Sequence, residues 1–151
     1  MRYLLPLLGL CLGTVVSIAQ PAIGLPSLST STTAISTSLD LDGEGSASMH
    51  IVKIADISIS TDYSSGLTLM LTSGSLTKVD GSDILFKITT VANDESAPSS
   101  SAFDVPSGDT YTYSTQAAGS ENRDVYILYT PSALQDPGSY GATINISVFD
   151  N

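Results

Sequence analysis

From Ile35 to the last residue, apolar side chains recur at every second position in one short segment after another, and that period puts them on a single face of an extended strand. In "GLTLMLTS" the inward set is Leu67, Leu69 and Leu71, and in "DILFKITTVA" it is Ile84, Phe86 and Ile88. "TYTYST" offers Tyr111 and Tyr113, and "DVYILYT" offers Val125, Ile127 and Tyr129. The terminal "YGATINISVFDN" aligns Tyr140, Ala142, Ile144, Ile146 and Val148. "ISTSLDLD" aligns Ile35, Thr37, Leu39 and Leu41. In "MHIVKIADISIS" the set is Met49 and Ile51, then Ile57 and Ile59, with the phase broken near Ile54 and Ala55, which predicts a β-bulge or strand break there.

Helical spacing is hard to find in the same region. Turn pairs punctuate it instead: Asp42-Gly43, Ser65-Gly66, Asp80-Gly81, Ser107-Gly108 and Pro137-Gly138. Short alternating strands at this spacing predict an all-β domain over residues 35–151, an antiparallel immunoglobulin-like β-sandwich of seven or eight strands. The terminal strand is expected to pair with Val125–Tyr129 across the Pro137-Gly138 turn, and the long polar loop from Ala92 to Val105 reads as a solvated connector or contact surface.

The first two dozen residues have another character. One basic residue, Arg2, precedes an apolar run from Leu4 to Ala19 and small residues suited to a signal peptidase, so residues 1–19 read as a signal peptide, with cleavage as late as residue 24 the alternative. The run is short for a membrane span, which needs about 20 apolar residues, and Pro6, Gly9 and Gly13 interrupt it. Cleavage after Ala19 removes Cys11, the one cysteine, and leaves no disulfide or thiolate metal site. Residues 20–34 then form a flexible arm rich in Pro, Ser and Thr. All 15 acidic residues and four of the five basic ones follow the leader, a formal charge of 4 − 15 = −11. Lys53, Lys78, Lys87 and Arg123 are scattered, which opposes nucleic-acid binding.

The chemistry-bearing residues are sparse. His50 is the one histidine, so neither a hydrolytic triad with a spare base nor a histidine-rich zinc site can be assembled, and it reads as a sheet-face residue. Most carboxylates sit in turns, where aspartate caps its own backbone, and no Trp supplies a sugar platform, so the chain reads as noncatalytic. Asp40, Asp42 and Glu44 match the opening half of an EF-hand calcium loop and are the candidate metal ligands, but the twelfth position is Ile51 and a "DGEG" hairpin turn explains the same residues. Asn145-Ile-Ser147 has the pattern of a glycosylation acceptor.

The C-terminal "DVYILYTPSALQDPGSYGATINISVFDN", a strand ending in Tyr-Thr-Pro, a Pro-Gly-x-Tyr loop and an alternating last strand, resembles the closing hairpin of bacterial secreted sandwich proteins of the spore-coat-U and fimbrial-subunit-like group. Tyr129, Thr130, Pro131, Gly138 and Tyr140 carry the resemblance. It implies a structural or adhesive subunit, secreted, periplasmic or at the cell surface, that self-associates or meets other envelope proteins, with strand donation as the mode of assembly. "ISTSLDLD" with the arm before it is the candidate donor, unless it is the first strand of its own domain. The alternative is a module that binds a glycan or protein through loops 92–106 and 115–124, with calcium as a candidate ion.

Overall fold

The computed structural model describes residues 11–14, 24–37, 39–42, 47–136 and 138–151. The chain is all-β. Its strands are β1 (Cys11–Thr14), β2 (Ser27–Thr32), β3 (His50–Thr61), β4 (Leu67–Thr72), β5 (Gly74–Leu76), β6 (Ile84–Ala92), β7 (Thr110–Ser114), β8 (Gly119–Tyr129) and β9 (Thr143–Asp150). One sheet has the order β2-β3-β8-β6-β5 and is antiparallel throughout. The other has the order β1-β9-β4-β7, antiparallel except that the short β1 runs parallel to β9.

Alternation does what the sequence predicts where strands are regular. Leu67, Leu69 and Leu71 of β4, Phe86 and Ile88 of β6, Val125, Ile127 and Tyr129 of β8, and Ile144 and Ile146 of β9 all enter one core shared by the two sheets. The turns follow their local chemistry as well. Gly66 has a φ of 84°, and a Cβ there would collide with the Thr115 carbonyl, so only glycine fits. Ser73 is the single residue between β4 in one sheet and β5 in the other. It is buried, and its hydroxyl is shared between the carbonyls of Pro106 (3.0 Å) and Asp109 (2.9 Å) while accepting from the Gly108 N–H, which fixes the corner where the chain changes sheet.

The predicted irregularity in β3 is present as a register shift between Lys53 and Ala55, with Ile54 and Ala55 both buried. It inverts the faces expected before it. His50, Val52 and Ile54 are turned toward the core, whereas Met49 is 54% exposed. A bulge adds one residue to one strand, so the inward set changes from even to odd positions as the chain crosses it. Thr33 completes the bulge: its N–H donates to the Ile54 carbonyl (2.8 Å) and its hydroxyl to the Lys53 carbonyl (2.8 Å).

Three other expectations are corrected. Among the described residues of 35–42 none belongs to a strand of the two sheets; Ala34–Thr37 form a 3-10 turn, and Leu39 and Leu41 still reach the core. Ser36 drives this by donating its hydroxyl to the Thr33 carbonyl (2.6 Å), a local bond that competes with sheet pairing. The segment read as an arm supplies β2, which pairs with β3 from Ser27↔Ser60 to Thr32↔Ala55 and packs Leu28 against the core. Finally, β9 pairs with β4 and not with β8, because β8 already has β3 on one edge and β6 on the other. The inward set of the last strand is nonetheless the predicted one, since alternation fixes the face and not the partner. The segment read as a signal peptide, apart from residues 11–14, lies outside the described residues, as do Gly43 and Pro137 of two predicted turns.

The assigned register makes adjacent residues of β6 very different. Phe86→Ala should lower the unfolding free energy in urea by about 3–5 kcal/mol, and Leu85→Ala, 65% exposed on the outer face, by no more than about 0.5 kcal/mol. Equal losses would mean that the strand is turned the other way.

Candidate functional site

The residues proposed for calcium fold back onto the end of the core. Asp42 adopts a left-handed conformation (φ 64°), which aspartate tolerates, and its N–H donates to Asp40 Oδ1 at 2.9 Å. Asp42 Oδ2 accepts from the Ser48 N–H (2.7 Å), and Oδ1 lies 3.0 Å from His50 Nε2, within ion-pair distance though not aligned as a hydrogen bond. The His50 ring stacks on Tyr129 with centroids 5.1 Å apart, and Tyr129 donates its hydroxyl to the Asp40 carbonyl (3.1 Å). Burial, followed by the nearby Asp40 charge, pushes the Tyr129 hydroxyl well above its ordinary pKa, so it remains a donor. The arrangement ties the 39–42 segment to β3 and β8. Glu44 lies outside the described residues, and among those described no three His, Cys, Asp or Glu side chains are grouped to hold a metal.

Two polar clusters flank the middle of β8, just before the apolar run "VYILY". On the core side Arg123 is buried: Nε donates to Thr90 Oγ1 (2.8 Å), Nη2 to the Thr90 carbonyl (3.2 Å) and Nη1 to Glu121 Oε1 (3.1 Å). Its guanidinium lies 3.5 Å above the Tyr113 ring, and Tyr113 donates to Glu121 Oε1 at 2.8 Å. This group joins β7 of one sheet to β6 and β8 of the other and closes that end of the core with polar atoms that are all paired. On the outer side Lys53 Nζ is 2.6 Å from Asp56 Oδ1 and 3.0 Å from Asp124 Oδ2. The Asp56 hydrogen bond, and after it Asp124, raise the lysine well above its usual range and hold it charged. Asp124 is buried, and its Oδ1 has no hydrogen-bond partner among the described residues.

The loops expected to recognise a ligand are partly structural. Residues 119–124 belong to β8, and what remains of loop 115–124 borders a small hollow of about 190 Å³ with Leu67 and Glu121 on its wall. Loop 92–106 crosses the outer face of the five-stranded sheet, where Lys87 Nζ donates to the Phe103 carbonyl (3.1 Å), and Phe103 itself is buried. Asn145 and Ser147 of the sequon both point outward from β9, Asn145 being exposed.

The most unusual pairing is at the edge of β9. Cys11–Thr14, within the apolar segment near the N-terminus, lie parallel to Thr143–Ile146, while the other edge of β9 is held by β4. Among the described residues no helix is long and apolar enough to cross a membrane. Compared with known proteins, the chain matches no family model and no curated protein.

The two carboxylates on Lys53 are expected to differ. Asp124→Ala, which removes the buried carboxylate but leaves Lys53 29% exposed and paired with Asp56, should cost about 1–3 kcal/mol in chemical unfolding, and Asp56→Ala, at the exposed end, less than about 1 kcal/mol. Comparable losses would refute the assignment of Asp124 as the buried partner.

Proposed function

We propose that this chain is a noncatalytic, exported structural subunit of a bacterial surface assembly, built on an immunoglobulin-like sandwich, and that it assembles by accepting a strand at the edge of β9. The observation that carries the reading is the parallel pairing of Cys11–Thr14 with Thr143–Ile146. Residues 11–14 sit inside the segment read as a signal peptide. Its removal takes away the strand that covers this half of β9 and leaves a row of unpaired N–H and C=O groups. A strand from a neighbouring subunit satisfies those groups, with main-chain hydrogen bonds supplying affinity.

The donor proposed from sequence changes with the fold. "ISTSLDLD" is tied down by the Ser36 turn and by Leu39 and Leu41 in the core, and so cannot reach a neighbour without unpacking. The segment from residue 20 to Thr32 is the better donor, because β2 is an edge strand bonded on one side only. In the assembly this segment leaves its own sheet edge and covers the β9 edge of the next copy.

Protein beginning at residue 20 is expected to form concentration-dependent oligomers in size exclusion and ladders or filaments in negative-stain microscopy, whereas protein beginning at residue 33 stays unassembled. A residue 20–151 protein that is monomeric at every concentration would overturn the reading.

A further inference from the structure

Among the described residues, the outward positions of β9, β4 and β7 in the four-stranded sheet carry no charge, on a chain with 15 acidic and 5 basic residues. Registers across β9, β4 and β7 align their side chains in rows. One row is Phe149, Thr68 and Ser114, and the next is Ser147, Met70 and Thr112. Thr72 and Thr110 form a third, beside Asn145, the next outward position of β9. Thr110, Thr112, Ser114, Asn145 and Phe149 are exposed, and Thr68, Met70, Thr72 and Ser147 are partly so. Strands lie about 4.8 Å apart and same-face residues about 6.8 Å apart, so the rows make a regular lattice of hydroxyl, amide and methyl groups that follows the twist of the sheet. Thr68 is braced within it by Ser114 (2.8 Å) and Asn151 (2.6 Å). The acid on β9, Asp150, is exposed at the strand's end and off these rows, where it accepts from the Thr61 hydroxyl.

We propose that this face binds a neutral polysaccharide laid across its hydroxyl rows. Hydroxyls and amides both donate and accept, which matches sugar hydroxyls, and the threonine methyls, Met70 and Phe149 offer apolar contact to the C–H faces of sugar rings. Acidic polymers are repelled by the rest of the molecule, with its formal charge of −10, and basic ones find no anchoring carboxylate on this face. A second copy is a poor occupant, since the lattice covers on the order of 200 Å² against roughly 800 Å² per partner in a stable dimer. The surface is distinct from the β9 edge used for assembly: strand acceptance uses the backbone of β9, and this site uses outward side chains.

The test is depletion of the full chain from solution by insoluble cellulose, chitin and starch, at 0.1 M and 1 M NaCl. The expected result is retention by at least one of the three, changing less than about twofold between the two salt concentrations, because no ion pair is involved. Thr112→Glu, which buries a charge against the polymer in the middle row, should weaken retention about tenfold or more. Val79→Glu, 87% exposed between β5 and β6 and away from this face, should leave it unchanged. Circular-dichroism melting checks that Thr112→Glu is folded, and Thr143→Glu, at the rim of the same face, replaces it if it is not. Retention by none of the three polymers, loss of retention in 1 M salt, or equal retention of the glutamate variant would overturn the proposal. So would a dimer of the parent protein that the glutamate variant abolishes, since the face would then belong to a second copy.

Discussion

Strand β8 has a neighbour on each edge and cover on each face, and the rest of the chain is arranged to meet the demands that follow. Its backbone is satisfied by β3 and β6 along most of its length, so no third strand can join it. Its core face contributes Val125, Ile127 and Tyr129, while Asp124 and Tyr126 on the other face are also buried. Each polar side chain in such a strand therefore needs a partner brought from elsewhere. Thr90, Glu121 and Tyr113 serve Arg123, and Lys53 serves Asp124.

The same constraint sends the last strand to the other sheet. With both edges of β8 taken, β9 finds its partner in β4, and the Ser73 corner lets one continuous segment contribute β4 to one sheet and β5 to the other. The result is a core built by both sheets, with the far edge of β9 in the four-stranded sheet covered by the four residues Cys11–Thr14.

Much of this was legible in the residues. The alternating sets in β4, β6, β8 and β9 identified their inward faces correctly, and the broken phase at Ile54 and Ala55 located the bulge. Which strand pairs with which was not legible, because a period of two constrains the face alone and the default of sequential hairpins fails when a central strand is already full. The face before the bulge was misread for a related reason: Met49 and Ile51 are the more apolar pair, yet His50 reaches the core by stacking on Tyr129. The buried pair Arg123 and Asp124 had one available signal, the unbroken apolar run from Val125 to Tyr129, which marks a strand covered on both faces and makes polar residues at its entrance suspect. Of the candidate ligands, Asp40 and Asp42 each accept a backbone N–H bond, which aspartate spacing alone does not reveal.

Hydrogen exchange on the protein beginning at residue 20, measured dilute and concentrated, tests the account most directly. Peptides covering Val125–Tyr129 should be strongly protected at both concentrations, because β8 opens only with global unfolding. Peptides covering Thr143–Ile146 should exchange quickly when dilute and become protected when concentrated, as a neighbouring strand takes the vacant edge. Equal protection of Thr143–Ile146 at the two concentrations would contradict the claim that this edge is where the subunits join.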